Sequence, residues 1–159
     1  MTNKPVLYAE DEENDALFLQ RAFKLAAVEH KLIVVPDGQE AINYCSGAVG
    51  YSNRDEYPLP CLLLLDLNMP RRSGLEVLKW VRSEPAISTL PVIVLTSSLH
   101  DADVHRAYLQ GANAYLVKPT NPGHLVAIAK TIKDFWLTHN RMPTKSWNLV
   151  DAGGLQGGF

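Results

Sequence analysis

The stretch LLLLDLNMP, residues 62–70, decides the fold class of this chain. Four leucines in a row, between Pro60 and Pro70, are typical of a strand that is buried on both faces of a sheet. The run ends at Asp66, and an aspartate is rarely buried unless it has a partner. The sequence therefore predicts a buried strand at 61–66 and a second group that meets the carboxylate of Asp66.

Strands and helices alternate on both sides of this segment. Further apolar segments with the length of a strand lie at 4–9, 32–35, 91–96 and 114–117. Helical patterns lie at 15–29, 39–46, 74–83, 101–110 and 122–139. This alternation predicts an α/β fold, with a five-stranded parallel sheet and five helices on both faces. We expect the flavodoxin-like strand order 2-1-3-4-5.

The domain organisation is simple. A chain of 159 residues is long enough for one well-buried core, and we expect one domain over residues 1–140. From 141 to 159 the sequence loses its periodicity and gathers glycine, which predicts a flexible C-terminal tail. The segment GAVGYSNRDEYPLP at 47–60 also lacks periodicity, and it predicts a surface loop.

Composition excludes several classes of function. A formal net charge of -2 gives no basic field for nucleic acid. No apolar stretch is long enough to span a membrane, and the first residues do not resemble a signal peptide, so we expect a cytoplasmic protein. Cys45 and Cys61 lack the spacing of a zinc or redox motif and predict reduced packing residues.

Acidic residues follow two of the predicted strands. Glu10 and Asp11 end strand 1, and Asp66 ends strand 3. In a sheet of this order ligands bind beyond the carboxyl ends of the strands, where the strand order reverses, which is between strands 1 and 3. Three carboxylates brought together repel one another unless a cation neutralises them. Oxygen ligands of this kind suit Mg²⁺, and the sequence therefore predicts a magnesium site.

Two groups that suit an anion arrive at the same edge of the sheet. Thr96 ends strand 4, and Lys118 follows strand 5. A hydroxyl donates to phosphoryl oxygens, an ammonium group attracts them, and a carboxylate is a nucleophile that forms an aspartyl phosphate. Taken singly, Lys118 is a surface lysine and Asp66 a turn cap, but their joint occurrence favours a phosphoryl-transfer site.

Four motifs resemble those of the response regulator receiver domain, in the same order and at the same strand ends. They are ED after strand 1, LLLLDLNMP, VIVLTSS and YLVKP, and the resemblance covers roughly residues 4 to 139. It implies that a sensor histidine kinase transfers a phosphoryl group to Asp66 with Mg²⁺. It also implies that the chain signals through a changed protein-binding surface and is not a turnover enzyme on external substrates.

The resemblance also implies roles for the metal site. Asp11 resembles a direct magnesium ligand, together with Asp66 itself. Glu10, which stands where many relatives carry aspartate, resembles a ligand that acts through water. Asn68 resembles a ligand that acts through its backbone carbonyl.

Three further residues resemble the switch of this family. Thr96 is similar to the switch hydroxyl, and Lys118 to the phosphate-binding lysine. Tyr115, three residues before that lysine, resembles the aromatic residue that turns inward on activation. The family has a cis peptide at the position of Lys118–Pro119, and X–Pro bonds tolerate that geometry.

An enzyme of the haloacid dehalogenase type is the alternative function. Asp-Leu-Asn after a buried strand resembles the signature of these aspartyl-nucleophile phosphatases. That family has a second aspartate two residues after the nucleophile, as general acid, and Asn68 occupies this position here. A receiver that works without phosphorylation is disfavoured, because no site position is missing.

The output of the predicted receiver passes through protein contacts. A tail of about twenty residues is too short for a DNA-binding module. The long loop and extended C-terminus resemble the small regulators paired with bacterial phytochrome kinases. Phe135 and Trp136 are adjacent on one helix, so both cannot point inward. We therefore expect a homodimer through helix 4, strand 5 and helix 5, formed before phosphorylation and tightened by it.

Overall fold

The computed structural model describes residues 3–48 and 50–143, and its centre is a parallel sheet of five strands. The strands follow the order β2-β1-β3-β4-β5. They are β1 (Val6–Ala9), β2 (Leu32–Val35), β3 (Leu62–Leu65), β4 (Val92–Thr96) and β5 (Ala114–Val117). The flavodoxin-like fold class expected from the sequence is confirmed.

Five helices connect and cover the strands. They are α1 (Glu13–Leu25), α2 (Gly38–Ser46), α3 (Gly74–Ser83), α4 (Asp101–Leu109) and α5 (Leu125–Thr131). A 3₁₀ turn, Pro122–His124, precedes α5, and a π-helical segment, Ile132–His139, continues it. Within the described ranges, no helix combines the length and the apolar character needed to cross a bilayer. The predicted tail at 141–159 lies outside the described residues from 144 onward.

Alternating residues of the strands build two separate cores, one on each face of the sheet. Leu63 and Leu65 of β3 belong to the core that α2, α3 and α4 cover. Leu62 and Leu64 belong to the core that α1, α5 and the π-helical segment cover. All four side chains are at most 1% exposed, which confirms that β3 is buried on both faces.

Helix α1 ends earlier than its apolar pattern predicts. Its buried residues include Leu19, Ala22 and Phe23, as expected, but the helix stops at Leu25 instead of 29. Ala27 has φ of 54°, and the amide of Val28 donates to the carbonyl of Phe23. This is the left-handed closure that normally carries glycine, and an alanine there gave no sequence signal.

The C-terminal helix departs from the single α-helix predicted over 122–139. After Thr131 the backbone widens into the π-helical segment, where the amide of Asn140 bonds the carbonyl of Phe135. Phe135 is 51% exposed, while Trp136 packs against the core. The expectation that only one of these two aromatic residues points inward is confirmed.

The loop before β3 is more ordered than its composition predicts. The guanidinium of Arg54 donates to the carbonyls of Tyr44 and Cys45, which lie in the last turn of α2, and to the carbonyl of Tyr57. The rings of Tyr44, Tyr51 and Tyr57 pack against one another, with centroids 5.2–6.1 Å apart. The loop therefore caps α2 and extends its core cluster.

Two glycines at helix starts hold the loop between β3 and α3. A Cβ at Gly74 would lie 2.2 Å from the carbonyl oxygen of Asp66, and one at Gly38 would lie 2.1 Å from that of Arg72. Both helices begin with a side-chain cap, from Asp37 for α2 and from Ser73 for α3. The β3–α3 loop is therefore packed against the starts of two helices, at Asp66 by α3 and at Arg72 by α2.

We expect Gly74→Ala to lower the free energy of unfolding by about 1 to 3 kcal/mol, because the methyl group displaces the backbone at Asp66. Urea denaturation measures this change. Gly123→Ala is the matched control, since Gly123 also lies in the first turn of a helix and its nearest neighbour is only the flexible end of Asn121. Equal stabilities of the two variants would contradict the close packing described for Gly74.

Candidate functional site

The predicted acidic residues meet at the carboxyl edge of the sheet, between β1 and β3. Glu10 is 2% exposed and Asp66 is 6% exposed, whereas Asp11 is open to solvent. One oxygen atom from each of the three carboxylates lies within 4.8 Å of the others. The strand ends therefore bring these residues together as the sequence analysis expects.

Lys118 reaches across the sheet from the end of β5 into this cluster. Its Nζ lies 2.6 Å from Oε2 of Glu10, 2.8 Å from Oδ2 of Asp15 and 3.1 Å from Oδ2 of Asp66. These contacts use all three hydrogens of the ammonium group. Burial lowers the pKa of Lys118, but the bonds to Asp15 and Glu10 and the charge of Asp66 outweigh it, and the net pKa is raised.

Glu10 is the most constrained carboxylate of the site. Besides Lys118, the hydroxyl of Tyr8 donates to its Oε2 at 2.8 Å, and the amide of Glu12 donates to its Oε1 at 3.1 Å. Burial raises the pKa of Glu10 to about 7, with the charge of Asp66 adding to the effect and Lys118 opposing it. The side chain is thus fixed by three donors in a poorly solvated position.

Sequence reasoning missed two residues of this network, Tyr8 and Asp15. Tyr8 lies two positions before Glu10, and the alternation of a strand places both on the same face, which was an available signal. Asp15 lies one helical turn beyond Asp11, at the start of α1. Its contact with Lys118 depends on side-chain torsions, for which the sequence holds no signal.

Thr96 ends β4 with its side chain in the interior. The residue is 1% exposed, and its Oγ1 has no hydrogen-bond partner among the described residues. A buried hydroxyl without a partner typically costs about 1 to 3 kcal/mol, so this atom suits an acceptor that a ligand supplies. Thr96 therefore fits the anion-binding role predicted for it.

Tyr115 and the bond after Lys118 complete the β5 side of the site. The hydroxyl of Tyr115 donates to the carbonyl of Ser98 at 3.0 Å, and its ring packs against the core on the α4 side of the sheet. The Lys118–Pro119 peptide is trans, so the expectation of a cis bond from the family resemblance is wrong for this structure. The trans form is the lower-energy isomer of an X–Pro bond, by about 0.5 to 1 kcal/mol.

Asn68 lies two residues after Asp66, at an exposed position of the β3–α3 loop. Its backbone amide nitrogen lies 3.5 Å from Oδ1 of Asp66, and its side chain is exposed to solvent. This separation exceeds the usual hydrogen-bond range, so Oδ1 is only weakly held. The role predicted for its backbone carbonyl remains a prediction.

The donor set fits a hard divalent cation. Glu10, Asp11 and Asp66 offer only oxygen atoms, and one side of the cluster is open to solvent at Asp11. Magnesium typically takes one or two carboxylates and keeps several waters, which this half-open arrangement allows. A buried carboxylate, oxygen ligands that could hold a cation, an ammonium group and a hydroxyl without a partner among the described residues are together the groups that phosphoryl transfer to a carboxylate requires.

Known proteins share this fold and sequence pattern. Response regulator Rcp1 of Synechocystis sp. is 35% identical over 140 residues, which cover 88% of this chain and 93% of that protein. The structure of the phosphorylated cyanobacterial phytochrome response regulator RcpA is 34% identical, with a TM-score of 0.82, and covers 89% of this chain and 99% of that chain.

A second solved structure is the Mn(2+)-bound form of response regulator Rcp1. It is 34% identical, has a TM-score of 0.79 and covers 89% of this chain and 99% of that chain. The sequence model of the response regulator receiver domain matches residues 6–130, most of the present chain. These matches decide against the haloacid dehalogenase alternative, and the chain belongs to the response regulator receiver domain family.

Proposed function

We propose that the protein is a stand-alone response regulator that accepts a phosphoryl group on Asp66 from a sensor histidine kinase. The observation that carries the proposal is the arrangement around this carboxylate. Lys118 Nζ lies 3.1 Å from Asp66 Oδ2, and the end of the neighbouring strand contributes the unpaired hydroxyl of Thr96. Coverage of 93% of the length of Rcp1 supports action without an output domain.

The transfer step follows from the chemistry of the acceptor. A carboxylate oxygen of Asp66 attacks the phosphorus of a phosphohistidine, a P–O bond forms, and the P–N bond breaks with its electron pair going to the imidazole nitrogen. Lys118 holds Oδ2, whereas Oδ1 is only weakly held and is the freer nucleophile. Lys118 and Thr96 then bind the oxygens of the transferred group.

A divalent cation completes the acceptor site. Glu10, Asp11, Asp66 and the backbone carbonyl of Asn68 would hold Mg²⁺, which when bound offsets the charge of the carboxylates and of the donor. Response regulator Rcp1, which shares this fold at 34% identity, has a Mn(2+)-bound form, and this supports a divalent metal in the present chain. The present chain contributes the oxygen ligands and the half-open geometry that admits the donor.

Phosphorylation changes the conformation through Thr96, Lys118 and Tyr115. A phosphoryl group adds nearly two negative charges and new acceptor oxygens, which attract the hydroxyl and the ammonium group. Moving a two-state equilibrium from 1:99 to 99:1 takes about 5.5 kcal/mol of differential binding, which requires several charge-assisted contacts. Tyr115 transmits the change because its hydroxyl binds the carbonyl of Ser98, in the connection that follows Thr96.

The proposed kinase is a bacteriophytochrome, because RcpA, which shares this fold at 34% identity, is a phytochrome response regulator. The downstream target is a protein, bound through the surface that the switch alters.

We include a cytoplasmic location in the proposal, since Cys45 and Cys61 are both unpaired in the described part of the chain, as expected in a reducing compartment.

The proposed homodimer contact is the face formed by α4, β5 and the C-terminal helix. Several apolar side chains on these elements are exposed by a third or more: Tyr108, Leu109, Val117 and Phe135. Phe135 stands edge-on to Trp136, with ring centroids 5.0 Å apart. Burial of apolar area yields roughly 25 cal/mol per Å² before the costs of association, so covering this face with a second copy is favourable.

We expect Asp66→Asn to abolish labelling by acetyl phosphate in the presence of Mg²⁺, because the amide is nearly isosteric but a far poorer nucleophile. Intact-mass spectrometry measures the phosphoryl adduct. Asp55→Asn, at an exposed loop position, is the control and should be labelled like the wild type. An adduct of wild-type yield in Asp66→Asn, at any other residue, would show that Asp66 is not the acceptor.

Removal of divalent metal should stop the same labelling reaction, because the uncompensated carboxylates then repel the anionic donor. The experiment compares adduct formation in excess chelator, with and without Mg²⁺ restored above the chelator concentration. Labelling that continues unchanged in the chelator would exclude a metal at this site.

The unmodified protein should sediment as a dimer at micromolar concentration, and Phe135→Glu should shift it to a monomer by placing a charge in the contact. Leu17→Glu is the control, because Leu17 is also exposed, at 60%, but lies on α1. A wild-type monomer under these conditions would rule out a dimer that forms before phosphorylation.

A further inference from the structure

Asp15 is the partner of Lys118 that lies outside the acidic cluster of the metal site. Its Oδ2 lies 2.8 Å from Nζ, closer than the 3.1 Å that separates Nζ from Asp66. Its side chain is 36% exposed, whereas that of Glu10 is fully buried. The ammonium group is therefore held from one side by a buried carboxylate and from the other by one that water reaches.

The three contacts of Lys118 are not equally easy to give up. An ammonium group has three hydrogens, and all are in use, so a phosphoryl oxygen gains Lys118 only if one present contact opens. Glu10 is fixed by Tyr8 and by the amide of Glu12. Asp66 is the proposed acceptor, so it carries the phosphoryl group itself and stays beside Lys118 after the transfer. Of the other two partners, only Asp15 accepts no other hydrogen bond from the described residues, so its contact is the one free to open.

The surroundings of Asp15 allow this opening. A cleft of roughly 170 Å³ lies beside the ion pair, and Asp15, Phe18, Lys118 and Pro119 line it. A carboxylate that loses Lys118 can be hydrated there, which lowers the cost of leaving it unpaired. A fully buried carboxylate in the same position would retain the ammonium group.

We propose that Asp15 is a positioning residue that holds Lys118 in the unphosphorylated protein and thereby competes with the incoming phosphoryl group. The inference rests on Asp66 being the phosphoryl acceptor, as proposed above. Asp15 touches neither the acceptor nor the donor and acts only through Lys118 and through its own negative charge. It raises the donor concentration needed for phosphorylation without taking part in the transfer.

The test is the rate of labelling by acetyl phosphate as a function of its concentration, at saturating Mg²⁺. Asp15→Asn removes one negative charge and weakens one bond of Lys118. We expect the half-saturating donor concentration to fall about two- to fivefold, the range typical of a partly exposed ion pair. The rate at saturating donor should not change, because the transfer at Asp66 is untouched.

Controls separate this role from a structural one. Glu13→Gln removes the same charge from the same first turn of α1, at a residue that forms no ion pair among the described residues, and should leave the half-saturating concentration within error of wild type. Asp15→Glu keeps the charge and should restore the wild-type value. Thermal unfolding of each variant identifies a loss of stability, which would lower the labelled fraction without changing the half-saturating concentration.

The outcomes distinguish this inference from the proposed function. A wild-type protein that is never labelled contradicts the function itself. A wild type that is labelled normally, with Asp15→Asn needing as much donor as Glu13→Gln or more, overturns the role of Asp15 alone. Asp15→Ala is measured in parallel, so that one misfolded variant does not leave the question open, and the same fall is expected from it.

Discussion

The contact of one ammonium group with three carboxylates organises the functional end of this molecule. Lys118 joins the edge strand β5 to Asp66 after β3, to Glu10 after β1, and to Asp15 on α1. Asp11 adds a fourth carboxyl group nearby, so the site brings four acidic side chains together with one ammonium group. Acidic groups in such an excess repel one another unless a cation offsets their charge, which is the physical reason why this edge of the sheet suits a divalent metal.

The sequence was sufficient to predict the fold and the position of the site. The leucine run of β3, the lengths of the apolar segments and their alternation with helices specify a parallel sheet, because burial on both faces leaves a clear pattern. Asp66, Glu10, Asp11, Thr96 and Lys118 each lie at the end of a strand or just after it, and in parallel strands these ends share one edge of the sheet. Their proximity is therefore a consequence of topology.

The remaining details depend on torsions that a pattern of apolar residues does not encode. The contact of Lys118 with Asp15 on α1 depends on the side-chain torsions of both residues. The end of α1 depends on a positive φ at Ala27, and an alanine at this position gives no sequence signal for the end of a helix. The order of the loop before β3 depends on the hydrogen bonds from Arg54 to carbonyls in the last turn of α2. In each case tertiary packing determines the conformation of a single side chain or backbone position.

The contacts of Gly38 and Gly74 with the β3–α3 loop distinguish a constrained side of the molecule, at α2 and α3, from a less constrained side at β5. Gly74 and Gly38 lie directly against the backbone at Asp66 and Arg72, so the starts of α2 and α3 can shift little relative to the β3–α3 loop if Asp66 takes up the proposed phosphoryl group. The edge strand β5, whose residues are half-buried or exposed, is less constrained. A reagent raised against the α2–α3 surface should therefore bind both forms equally and leave their populations unchanged. Such a binder can immobilise the protein or measure its total amount without depending on its phosphorylation. A binder raised against the β5 side should prefer one form and shift the populations toward it.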